Sequence, residues 1–247
     1  MEKLMIEKSD ELLHAFFKNL SNRDQARIGL MGGWAVHYLL KGLDVVHLGS
    51  RDIDIFFDPK KVKPGTIDAK LEKMGFHRHS TFRWVKIFHS ETKQELHPEE
   101  SKKHPIHNLS YIYFDLATPT PCPHAMPEPL LKKVYQGEKT RIKVKGVPIL
   151  VPAAKVLIEM KLKAAPERTD AFKRTKDVAD LYALLNSHPE LWVVKQGQRA
   201  RTKGLDPKLV RTFKQKLDRF KTDGTLADAA GMLRIDQNRL TELLERI

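Results

Sequence analysis

The sequence predicts an α+β protein, with a mixed sheet and flanking helices in residues 1–150 and an all-helical part in residues 151–247. Three observations carry this reading. Residues 52–57 alternate, so that Asp52, Asp54 and Phe56 point one way and Ile53, Ile55 and Phe57 the other, the period of a strand. Residues 82–88 and 111–116 are further short strand-like runs. After Pro152, which suits a first helical position, apolar residues recur at helical spacing through 153–165 and 170–185.

The remaining elements follow in order. Leu12, Leu13, Phe16, Phe17 and Leu20 place a helix over 9–20, with Ser9 or Asp10 as its cap. Residues 27–31 form a short apolar run ending at Gly32-Gly33, and a helix over 34–40 stops near Gly42. Residues 67–74 are helical and close at Gly75, a glycine suited to a helix C-cap. A proline-rich loop covers 119–129, and 141–151 turns back at Lys145-Gly146. The domain boundary is expected near 148–152. Beyond it, 207–220 is a helix with an apolar stripe of Leu209, Phe213, Leu217 and Phe220, and 225–247 holds two short helices.

Composition narrows the class. With 41% hydrophobic and 30% charged residues the chain is globular, and its one cysteine excludes an intramolecular disulfide and any multi-cysteine zinc or iron–sulfur site. The net charge of +13 favours an anionic partner such as RNA, DNA or nucleotide phosphate. The longest mostly apolar stretch, 28–40, contains Gly32, Gly33 and His37 and is shorter than the ~20 residues of a membrane span. Residues 1–7 lack the apolar core of a signal peptide, so the expected location is cytoplasmic, with no membrane partner.

The strongest signal is Gly32-Gly33 followed by Asp52-Ile53-Asp54. Two aspartates two apart on a strand emerge on one face, close enough to share divalent cations. Magnesium takes hard oxygen ligands and keeps several waters, so a few carboxylates suffice. Asp115 fits as a third carboxylate from a neighbouring strand, because Tyr111, Tyr113 and Asp115 share one face while Ile112, Phe114 and Leu116 share the other. Paired glycines let a backbone approach phosphate oxygens, and the helix that follows aims its free N–H groups at the anion. Arg51, beside the carboxylates, could touch phosphate or hold the loop.

Gly32-Gly33, a helix, and then Ser50-Arg51-Asp52-Ile53-Asp54-Ile55 resemble the minimal nucleotidyltransferases of the DNA polymerase β-like superfamily. Val151-Pro152, Lys161-Leu162-Lys163-Ala164, Arg168 and Lys176-Asp177-Val178-Ala179-Asp180-Leu181 look like the AbiEii-type toxin branch. The resemblance covers roughly residues 26–186, and the chain departs from it in a longer gap between Gly33 and Asp52. It implies a nucleotidyltransferase domain whose cleft is completed by 151–190, with 191–247 as a basic helical extension. It further implies two magnesium ions (manganese also suits) at Asp52, Asp54 and Asp115, and a nucleoside triphosphate as substrate. The phosphates would be held by Gly32, Gly33, Arg51, Lys161 and Lys176. Transfer of a nucleotide to RNA, typically a tRNA end, or to a protein hydroxyl follows, as does a toxin role with an antitoxin partner.

Other readings stand beside these. The fold could persist in a non-catalytic nucleic-acid-binding factor. Asp115 could be a strand-edge carboxylate paired with a lysine, and Lys161 could merely border its helix's apolar stripe. Asp177 and Asp180, three apart, are expected to pair with Arg168, Lys161 or Lys173. The basic run from Lys195 to Lys221 could cradle RNA phosphate or be a solvated face. His104, His107, Cys122 and His124 are zinc-ligand types, but Cys122 lies between two prolines and the halves are separated by a strand, so they read as scattered loop residues. His77 and His79 read as surface residues. The end of the chain resembles a helix-turn-helix only weakly, with Arg234 where a turn glycine is usual, and reads as a capping helical pair. No nucleophile elbow or Walker loop is present.

Overall fold

The computed structural model describes residues 2–43, 49–193 and 201–247. Helix α1 (Glu2–Lys18) and the single turn α2 (Asn22–Gln25) precede strand β1 (Ile28–Met31), which runs directly into α3 (Gly32–Leu40). Strand β2 (Ile53–Phe57), helix α4 (Pro64–Lys73), strands β3 (His77–Arg78), β4 (Arg83–His89) and β5 (Glu95–Leu96) and the turn α5 (Pro98–Ser101) follow. Next come β6 (Leu109–Thr118), β7 (Met126–Pro127), α6 (Leu131–Tyr135) and the hairpin β8 (Lys139–Val144) and β9 (Val147–Pro152). The later elements are α7 (Ala154–Glu167), α8 (Ala171–Ser187), the short β10 (Trp192–Val193) and β11 (Arg201–Thr202), then α9 (Pro207–Thr222), α10 (Thr225–Leu233) and α11 (Gln237–Glu245). This is the α+β architecture that the sequence predicts.

Two compact units make up the chain: Met1–Ala35 with Leu48–Pro152, and Val36–His47 with Ala153–Ile247. The first is built on one mixed sheet in the order β3-β4-β6-β2-β1-β9-β8, with β5 against β4 and β7 against β6. The pairs β1–β9 and β2–β6 are parallel, and β1–β2, β4–β6 and β8–β9 antiparallel. One face forms the main core. Ile53, Ile55, Ile112, Phe114 and Leu116 are all buried there, and the Phe114 ring lies 5.1 Å from both Phe16 of α1 and Phe76. Each such side chain contributes about 1.5–3 kcal/mol on burial, so β2 and β6 are pinned in register by their apolar face. The β8–β9 hairpin turns at Lys145 (φ 48°) and Gly146 (φ 85°), the left-handed pair that a two-residue turn matching strand twist demands.

Helix α1 departs from expectation. It begins at Glu2, well before Ser9, which sits inside the helix and is fully buried rather than capping it. Strand β2 is one residue shorter than its alternation suggests, because Asp52 lies in a bend before Ile53.

In the second unit α7 and α8 bury Leu157, Ile158, Leu162, Val178, Leu181 and Leu185. Asp170 caps α8 by accepting a hydrogen bond from the Lys173 backbone N–H. Phe213, Leu217 and Phe220 of the predicted stripe on α9 are buried, whereas Leu209 is half-buried. The unit is helical apart from the β10–β11 ribbon, which pairs Trp192 with Thr202. Helices α10 and α11 are separated by Arg234, which takes the left-handed conformation (φ 55°, ψ 44°) that favours glycine. Among the described residues no helix is long and apolar enough to cross a membrane.

Candidate functional site

The parallel pairing of β2 with β6 sets Asp54 directly opposite Asp115. Antiparallel pairing extends the row, with Met31 of β1 opposite Asp54 and Arg83 of β4 opposite Asp115. Residues opposite one another in a ladder share a face. The two carboxylates therefore stand side by side on the face away from the main core. Asp52 lies in the bend just before β2 and, like Asp54, is partly exposed, while Asp115 is 9% exposed.

Gly32 closes the site on the β1 side. It takes φ +67°, and a Cβ there would overlap Oδ2 of Asp54. The space that a side chain would fill is thus taken by a carboxylate of the chain itself, at the first turn of α3. A Cβ on Gly33 would sit 3.2 Å from the Ser50 Cβ, so the second glycine lets α3 start close against the segment leading to Asp52. That segment is also tied from behind. The Ser9 hydroxyl donates to the Arg51 carbonyl (3.1 Å) and accepts from the Trp34 indole N–H (3.0 Å). One buried hydroxyl on α1 therefore links the start of α3 to the bend that carries Arg51 and Asp52.

Arg83 is a site residue that the sequence reading missed. Its Nε donates to Asp115 Oδ1 (2.7 Å) and its Nη2 to Oδ2 (2.5 Å), a bidentate pair. The hydrogen bond to Asp115 raises the guanidinium pKa above its ordinary value; partial burial opposes this, and the charges of Asp115 and Asp52 add to it. Burial likewise raises the phenol of Tyr113, with Arg83 and Arg51 opposing and Tyr111 and Asp52 adding. Asp52, Arg51, Arg83, Asp115 and Tyr113 thus belong to one electrostatic neighbourhood. An arginine opening a strand carries no local signal of this role; only the β4–β6 register puts it opposite Asp115.

Lys161 and Lys176 lie in the second unit. Lys161 is 8% exposed, and its ammonium is 2.6 Å from both Asp177 Oδ1 and Asp180 Oδ2. Burial disfavours the charge, but the two carboxylates outweigh it and raise the pKa above its ordinary value. Arg168 Nε donates to the other oxygen of Asp177 (2.9 Å). Lys176 is half-buried on α8.

The scattered histidines are placed individually. His124 Nδ1 lies 2.8 Å from Asp68, His104 packs its ring 5.1 Å from His89, and half-buried His77 packs 4.8 Å from His97. Among the described residues no three His, Cys, Asp or Glu side chains are already gathered as a metal centre. Lys195 and Arg199 of the basic run lie outside the described residues. On α9, Lys208, Arg211, Lys214, Lys216, Arg219 and Lys221 are exposed; Lys221 pairs with Glu245 (2.7 Å) and Arg219 with Asp223 (3.5 Å).

No family model matches the chain, and no curated protein matches it. Among solved structures it is similar to an antigenic nucleotidyltransferase-like protein from Paracoccidioides brasiliensis, at 16% identity and a TM-score of 0.47 over 90% of this chain and 94% of that one. It is also similar to the antibiotic-resistance factor ANT(2'')-Ia, at 15% identity and a TM-score of 0.46 over 88% of this chain and 95% of that one.

Proposed function

We propose that the chain is a magnesium-dependent nucleotidyltransferase that moves a nucleoside monophosphate from a nucleoside triphosphate to a hydroxyl of RNA. The observation that carries this is the ladder register that sets Asp54 beside Asp115 next to the Gly32 turn. The AbiEii-type branch, and with it a toxin role and an antitoxin partner, is supported by the sequence motifs around Lys161 and Lys176. The +13 charge and the exposed cations of α9 support RNA over a protein acceptor.

The donor set suits magnesium. Asp52, Asp54 and Asp115 offer hard carboxylate oxygens. Each Asp115 oxygen accepts one bond from Arg83, which leaves a lone pair on each for a cation. Bound there, magnesium supplies charge neutralisation of the phosphates and a lowered pKa of the attacking hydroxyl. The chain's own contributions are positional. The first turn of α3 presents backbone N–H groups to phosphate oxygens, and Arg51 offers a second cationic contact. The acceptor oxygen bonds to the α-phosphorus, the bond to the bridging oxygen breaks, and pyrophosphate leaves with that electron pair. Asp115 would take the hydroxyl proton. For Lys161 to reach a phosphate, the anion would have to displace Asp177 or Asp180.

A second reading, a non-catalytic RNA-binding factor on the same fold, is favoured by one observation: Arg83 already neutralises Asp115. Incubation with each labelled nucleoside triphosphate, magnesium and total RNA separates the two. Labelled RNA from wild type and none from Asp54→Ala supports the enzyme; equal RNA binding by both with no label from either supports the binding factor.

A further inference from the structure

The face that carries Asp54 and Asp115 continues past the carboxylates. Along β6, Tyr113 and Tyr111 follow Asp115 at two-residue steps and stand on the same side. Their rings are 9° from parallel with centroids 6.0 Å apart. The Arg83 guanidinium lies 4.7 Å from the Tyr113 ring centroid while it holds Asp115. The exposed His79 places its ring 6.0 Å from Tyr113. Val85 and Ile87, the ladder partners of Tyr113 and Tyr111, form a buried apolar cluster with Leu96, and both tyrosines pack on it while staying partly exposed.

Three features select a ligand. A stacked, partly exposed ring pair on a firm apolar bed can extend its stack to flat, unstacked rings, and base–aromatic stacking needs no particular base. A guanidinium stacked on one ring adds positive charge beside a second cation, Arg51, within electrostatic reach of Tyr113. The chain as a whole is strongly basic, which complements a phosphate backbone. A duplex hides its bases and could not use the rings, whereas a single-stranded end can splay its bases onto them.

We propose that Tyr111 and Tyr113, with Arg83, form an acceptor subsite: a stacking platform for the unpaired terminal bases of a single-stranded RNA. Delivery of the terminal hydroxyl to Asp52 and Asp54 rests on the nucleotidyltransferase reading; binding to the platform does not.

The test is fluorescence anisotropy of a labelled six-nucleotide single-stranded RNA with the full chain, without nucleotide or metal. Tyr111→Leu and Tyr113→Leu are each expected to raise Kd about fivefold or more, the low end of one lost stacking contact. Tyr113→Phe, which keeps the ring, should stay within about twofold, and the same sequence as a duplex should bind more weakly. A Kd within twofold of wild type in both leucine variants, with circular dichroism showing them folded, overturns the proposal, as does equal binding of duplex. Should leucine disturb the fold, Tyr111→Trp reads the same contact. Its added indole emission must be quenched by the oligonucleotide beyond any wild-type change, and unaltered emission overturns the platform. Ring-dependent binding with no nucleotide transfer keeps the platform and rejects the enzyme; transfer to RNA with ring-independent binding does the reverse.

Discussion

The Asp54 carboxylate occupies the space in which a side chain on Gly32 would begin, and Gly32 turns to φ +67° to meet it. The glycine that makes the turn and the carboxylate proposed for the chemistry therefore form one unit of structure. A side chain at position 32 cannot be added without moving Asp54.

Gly32→Ala is the direct test of this contact. The new methyl must displace Asp54 or unwind the first turn of α3, and alanine at a left-handed φ adds roughly 1–2 kcal/mol of strain. The expected outcome is a lowered melting temperature together with loss of transfer activity. Unchanged stability, with activity at the wild-type level, would show that the turn relaxes freely.

In the proposed site the positive charge of Arg83 would oppose a divalent cation on the remaining lone pairs of Asp115. Removing the guanidinium leaves a mostly buried carboxylate without its bidentate partner, at a cost of about 1–3 kcal/mol. Arg83→Met is thus expected to melt below wild type without magnesium. It should also gain more from added magnesium than wild type does, because a ligand that binds only the folded state stabilises by mass action. Equal magnesium shifts in the two proteins would place Asp115 outside any cation site.

Lys161 holds the second unit's ion cluster. Lys161→Met removes the buried ammonium that Asp177 and Asp180 share, leaving Asp177 its bond from Arg168, and should cost about 3–5 kcal/mol of stability. Adding Asp180→Asn should recover part of that loss, since one of the two buried negative charges that faced the ammonium is removed. Denaturant unfolding of the two variants reads both effects. A single variant as stable as wild type would show that the cluster contributes no net stability.

His77 is expected to make the first unit sensitive to acid. Burial, with the nearby His97, lowers its pKa below the ordinary 6.5; Glu95 opposes this and Lys86 adds to it. The folded state then binds a proton less readily than the unfolded chain. Stability from this group is present above about 6.5 and falls as the pH drops through 6.5 toward the lower folded value. Thermal melts between neutral and mildly acidic pH should show His77→Gln losing less stability on acidification than wild type. Parallel curves would remove His77 as a source of the slope.

Much of this molecule is written in local pattern. The alternation through Ile53–Phe57 marks β2, the apolar positions 112, 114 and 116 mark the buried face of β6, and Lys145-Gly146 marks the hairpin turn. Periodicity shows such features because a strand or helix exposes its faces at fixed intervals, whatever it packs against. The partners of the candidate carboxylates are of another kind. Ser9 is indistinguishable from a helix cap until α1 proves to start seven residues earlier, at Glu2, and its hydroxyl meets Trp34 and Arg51. Arg83 is one basic residue among 44 until β4 and β6 align. Strand order and register join residues 32 positions apart, as in Arg83 and Asp115, and those pairings follow from how whole apolar faces cover one another. No window of neighbouring residues contains that information.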